Sequence, residues 1–66
     1  MNKKEVFKEH FLVVAKSKIS QVVPEGTVGT VVHVYDNGYN YEVEFIVDNS
    51  SSSVVETVLF NQIKIK

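Results

Sequence analysis

The chain is 66 residues long, carries a formal net charge of −1 and contains no Cys, Arg or Trp. A chain this short supports one small core and excludes a large multi-step enzyme, and without Cys it has neither a disulfide framework nor a thiolate metal site. No stretch approaches the roughly 20 apolar residues of a membrane helix and no basic–apolar–small leader pattern is present, so a cytoplasmic protein without membrane contact is expected.

Fourteen Val, four Ile and three Thr stand against one Ala and two Leu. Branched side chains of this kind fit a pleated surface better than a helix, so the expected class is all-β. Residues 2–10 hold the single helical candidate. Asn2 is placed to cap it, Glu5 follows at the third helical position, and Phe7 and Phe11 lie four apart on one face. The pattern predicts a helical turn or two whose phenylalanines plug one end of the core.

Residues 12–15 read as a first strand. Residues 16–26 are polar and irregular and end in the turn signal Pro24-Glu25-Gly26. Residues 27–35 and 39–47 are two long strands around Asn37-Gly38, the dipeptide of a type I′ hairpin turn with positive φ at both positions. Residues 48–53 form a serine-rich polar loop. Residues 54–60 are a fourth strand, Asn61-Gln62 suits a tight or 3₁₀ turn, and residues 63–66 are a fifth strand.

A two-residue turn at Asn37-Gly38 pairs Asp36 with Tyr39 and dictates the rest of the ladder. Val34, Val32, Thr30 and Val28 then face Tyr41, Val43, Phe45 and Val47 on a core side. Tyr35, His33, Val31 and Gly29 face Asn40, Glu42, Glu44 and Ile46 on the other. A slip of one residue would turn Glu42 and Glu44 inward, so the register is well specified. Gly29, inside a strand, marks an expected bulge or sharp bend.

Five short strands with tight hairpins must curl to bury their apolar face. The expected architecture is a small five-stranded SH3-like barrel over residues 11–66, preceded by a helical or flexible segment at 1–10. The run from Pro24 to Tyr35, PEGTVGTVVHVY, followed by YEVEF at Tyr41–Phe45, resembles a family of short bacterial proteins of unknown function. Thr57-Val58-Leu59 and Ile63 are similar to that family's last strands, and the resemblance covers about residues 11–66. The Gly-x-x-Gly-x-Val portion is also similar to KOW-type barrels of ribosomal and transcription factors. The resemblance implies an SH3-like barrel and brings no catalytic residues with it.

Little in the chain points to catalysis. His10 and His33 lack metal-ligand spacing, and neither a metal nor a cofactor is expected. The serines at 50–53 have no nucleophile elbow around them and read as a linker. Gly26-x-x-Gly29 lacks the Lys and the following helix of a phosphate loop. His33 is expected opposite Glu42 as a cross-strand pair.

Charge layout carries more. Residues 1–18 hold five Lys and two Glu, residues 19–62 hold six carboxylates and no Lys, and residues 63–66 hold two Lys. The hairpin body is acidic and the two ends are basic. Tyr35, Tyr39, His33, Glu42 and Glu44 make a candidate face for a protein partner with a basic or apolar surface, with Tyr supplying rigid contact area. The expected function is a non-enzymatic interaction module, in the manner of an immunity protein or antitoxin that occludes a basic site, or one that self-associates. The alternative is a nucleic-acid-binding barrel using Lys3, Lys4, Lys64 and Lys66. That reading is weakened by Glu42 and Glu44 beside the tyrosines, where they repel phosphate.

Overall fold

A computed structural model of the chain describes residues 7–47 and 52–66. It is all-β, with five antiparallel strands: β1 (Leu12–Ala15), β2 (Val28–Val34), β3 (Asn40–Ile46), β4 (Ser53–Leu59) and β5 (Ile63–Ile65), with one 3₁₀ turn over Phe60–Gln62 between the last two. The five expected strands are all present, each within about one residue of its expected ends. They form a single sheet in the order β4-β3-β2-β1-β5. Against the expected small SH3-like barrel, the sheet is not closed: β4 and β5 are its two edges and, among the described residues, do not pair. β5 is only three residues long and pairs with β1 along its length.

The expected N-terminal helix is absent where the structure describes it. Residues 7–10 are coil and turn, and residues 2–6 lie outside the described residues. Pairing with β2 captures this segment. The His10 N–H donates to Val31 O at 2.7 Å, and Val31 N–H donates to Phe11 O at 3.0 Å. His10 accordingly takes φ +77, a left-handed conformation that no helix admits. Phe7 does plug the core. It is buried and meets the Tyr41 ring edge-on at 5.4 Å. Phe11 does not, and stays 38% exposed.

The central hairpin keeps part of the expected register. Val34 faces Tyr41 and His33 faces Glu42, but then the ladder shifts: Val31 faces Val43, Thr30 faces Glu44 and Gly29 faces Phe45. A bulge at Val32 puts two β2 residues, Val32 and His33, against Glu42 on the outer face. Val32 is therefore exposed at 43%, not opposite Val43 in the core. Val28 and Thr30 likewise leave the core side. The gain is physical. The bulge turns Val31 inward and spares the Thr30 hydroxyl from burial without a partner. It also sets Gly29 over β3, where a Cβ would come within 2.6 Å of Val43 and 2.8 Å of Phe45. Gly29 thus serves close approach, and the bulge expected there sits three residues later.

The turn also differs. Gly38 has φ +75, but Asn37 is not at positive φ, so the type I′ geometry is not adopted. Gly38 N–H instead donates to Tyr35 O at 3.1 Å, and Tyr35 N–H to Asn40 O at 3.2 Å, closing a four-residue loop. The Asn37 carboxamide oxygen accepts the N–H groups of Tyr39 at 2.7 Å and Asn40 at 3.1 Å, which replaces the backbone bonds of the tighter turn.

Val13, Ala15, Val31, Tyr41, Val43, Phe45, Val58 and Ile63 form the inner face, covered by Phe7 and by Val23. Val23 comes from the irregular loop, where it bridges Ser20. That loop re-enters the sheet through Gly26, at φ +93, after Pro24.

Candidate functional site

The outer face of β2, β3 and β4 carries the candidate site. Alternation along β3 turns Tyr41, Val43 and Phe45 into the core and Glu42 and Glu44 outward. Across β4, Thr57 stands opposite Glu42 and Val55 opposite Glu44.

Glu42 is the hub. Its Oε2 accepts the Tyr35 hydroxyl and, at 2.9 Å, the Thr57 hydroxyl. His33 faces Glu42 in register, yet its ring packs edge-on against Tyr35, with centroids 4.7 Å apart. The expected His33–Glu42 pair is thus a register pair whose hydrogen bonds are supplied by the two hydroxyls. The Tyr35 and Thr57 bonds, with a smaller attraction from His33, hold the Glu42 carboxyl below the usual glutamate range. The same bond, with desolvation and the charge of Glu42 behind it, pushes the Tyr35 phenol up. One row along, Ser53 Oγ donates to Glu44 Oε2 at 2.8 Å. Both outward carboxylates of β3 are therefore fixed by hydroxyls. Thr57 and Ser53 escaped the sequence reading, because which β4 residues meet Glu42 and Glu44 depends on a register set across the 48–53 loop.

Tyr39 is not brought into this cluster. It packs on Phe60 with ring centroids 5.8 Å apart, at the turn end of the sheet. Exposed apolar side chains border the carboxylate rows: Val32, Ile46, Val55 and Leu59.

Lys64 and Lys66 lie elsewhere. Lys64 stands opposite Val14, and Lys66 N–H donates to Leu12 O at 3.1 Å, so the C-terminal lysines sit beside β1. Lys3 and Lys4 lie outside the described residues. His10, Phe11, Leu12, Ile65 and Lys66 line an open cavity of about 510 Å³ at this end.

No helix among the described residues is long and apolar enough to cross a membrane. No curated protein and no solved structure matches the chain. A family model described as a domain of unknown function, DUF4926, matches residues 11–65, the stretch that holds all five strands, and the chain belongs to that family.

Proposed function

We propose that this chain is a small, non-enzymatic protein-interaction module that presents the outer face of β2–β4 to a partner with a basic surface, as an immunity protein or antitoxin-like inhibitor does. The order β5-β1-β2-β3-β4 with a 3₁₀ turn before the last strand supports an SH3-like, incompletely closed barrel as its frame. One observation carries the reading: Glu42 and Glu44 are held in place by Tyr35, Thr57 and Ser53 within a rim of exposed Val32, Ile46, Val55 and Leu59. Carboxylates already ordered lose little freedom on binding a cation-bearing surface, and the apolar rim adds area removed from water. Residues 19–62 hold no lysine to offset them.

The second reading is nucleic-acid binding at the opposite end, where Lys66, His10 and Phe11 share a cavity wall. Competition separates the two. Glu42→Lys with Glu44→Lys should abolish salt-sensitive retention of host proteins and leave random oligonucleotides unaffected. Lys64→Glu with Lys66→Glu should do the reverse if the second reading holds. Retention of the same proteins by the Glu42→Lys, Glu44→Lys chain would reject the first.

A further inference from the structure

β4 ends the sheet on one side and, among the described residues, pairs with β3 alone. Its hydrogen-bond phase follows from its two ends. Phe60 N–H donates to Tyr39 O at 2.8 Å, and Val47 N–H donates to Ser52 O at 3.1 Å. Hydrogen-bonded and non-hydrogen-bonded pairs alternate along an antiparallel ladder, and the register is unbroken between those ends. Val54, Glu56 and Val58 therefore turn their backbone groups toward β3. Ser53, Val55, Thr57 and Leu59 turn theirs away from the sheet. The Leu59 N–H is satisfied by Gln62 Oε1 at 2.7 Å, which leaves Ser53, Val55 and Thr57 as a bare edge among the described residues. The same reasoning at β5, from Lys66 N–H on Leu12 O and Lys16 N–H on Gln62 O, leaves only Ile63 and Ile65 facing outward. β4 is the long edge.

We propose that a second copy of this chain pairs with β4 in antiparallel fashion, about a two-fold axis at Val55. The segment Ser53-Val54-Val55-Glu56-Thr57 is close to symmetric about its centre, with a hydroxyl residue at each end. In this register Ser53 meets Thr57 of the second copy and Val55 meets Val55, so all three outward residues find partners. Both hydroxyls already donate to carboxylates on β3, so the pairing strands neither of them. Val55, 54% exposed, gains an apolar cross-strand neighbour. Competing registers are worse. Moving the axis to Glu56 sets two glutamates directly opposite each other, where like charges destabilise. Moving it to Val54 pairs only Ser53 with Val55. A one-residue offset between the strands puts inward-turned backbone groups against the bare edge. The paired edges make one continuous ten-stranded sheet and leave the outer carboxylate face uncovered, so the proposal stands independently of the function proposed above.

Sedimentation equilibrium of the full chain over a wide concentration range is the test. A species of twice the 7.5 kDa monomer mass is expected. Val55→Pro removes an N–H that points away from β3, a position an edge strand tolerates. This variant should be monomeric with an unchanged far-UV spectrum. A wild-type chain monomeric at every concentration, as expected if inward-facing Glu56 blocks the edge, overturns the proposal, and so does a folded Val55→Pro dimer. Cross-linking decides if that variant does not fold. The chain has no Cys, and Val55→Cys should form an intermolecular disulfide on oxidation, since directly opposed residues of a hydrogen-bonded pair lie about 5.5 Å apart. Ser53→Cys mixed with Thr57→Cys should cross-link to each other faster than either to itself. Leu12→Cys, 53% exposed beyond the other side of β2, sets the collisional rate. Rates no greater than that for Val55→Cys and for the mixture also overturn the proposal.

Discussion

The Tyr35 hydroxyl donates to the Glu42 carboxylate seven residues away, tying the mouth of the hairpin loop to the outer face of β3. The bond favours ionised Glu42 and protonated Tyr35. Glu42 therefore sits below its ordinary 4.5 and Tyr35 above its ordinary 10.0. A depressed carboxylate contributes stability above its unfolded value, lost as pH falls through the folded value. A raised phenol contributes stability below its unfolded value, lost as pH rises through the folded one. Tyr35→Phe should return the Glu42 midpoint toward 4.5, and Thr57→Val should move it less, because the Tyr35 bond is the larger cause. Carboxyl NMR titration of the three proteins reads this directly. An unmoved Glu42 midpoint in Tyr35→Phe would remove the bond.

The bulge makes neighbouring valines unequal. Val31 is fully buried against Val43, while Val32 faces solvent. Val31→Ala should cost about 2 kcal/mol or more, as a core truncation that leaves a cavity. Val32→Thr should stay within about 0.5 kcal/mol, as a surface change. Urea denaturation midpoints distinguish them, and a reversed order would restore the regular ladder.

Gly29→Ala would place a methyl group 2.6 Å from a Val43 carbon and 3.0 Å from the Glu44 carbonyl oxygen. The carbonyl belongs to the backbone and cannot yield as a side chain tip can. The variant should lose about 1–3 kcal/mol through overpacking. A thermal midpoint equal to wild type would show that β2 and β3 lie further apart here.

Gly38→Val forces a branched residue into positive φ and should cost about 1–3 kcal/mol. Asn37→Ala removes the acceptor of two backbone N–H groups and should cost about 1–2 kcal/mol. In a true type I′ turn the Asn37 carboxamide would matter less. Equal stability of Asn37→Ala and wild type in chemical denaturation would therefore point back to that geometry.

The outline of this molecule was legible in the chain because its signals are local. β-Branched runs with period two, glycines at 26 and 38, and an asparagine before Gly38 each act within a few residues, and the strands fall where those signals place them. Glu42 and Glu44 also face outward as their alternation with Tyr41, Val43 and Phe45 requires. The bulge, the capture of His10 by β2 and the open sheet are decided elsewhere. Val32 leaves the core because the bulge turns Val31 inward opposite Val43 and sets Gly29 over Phe45, a pairing across two strands that no window of one strand contains. His10 is drawn out of any helix by the Val31 carbonyl, 21 residues on in the chain. Thr57 and Ser53 join the carboxylates only once β4 has docked in register on β3. Periodicity selects strands and faces, whereas contacts between residues far apart in the chain select which residues meet, because their energies exist only after the sheet has assembled.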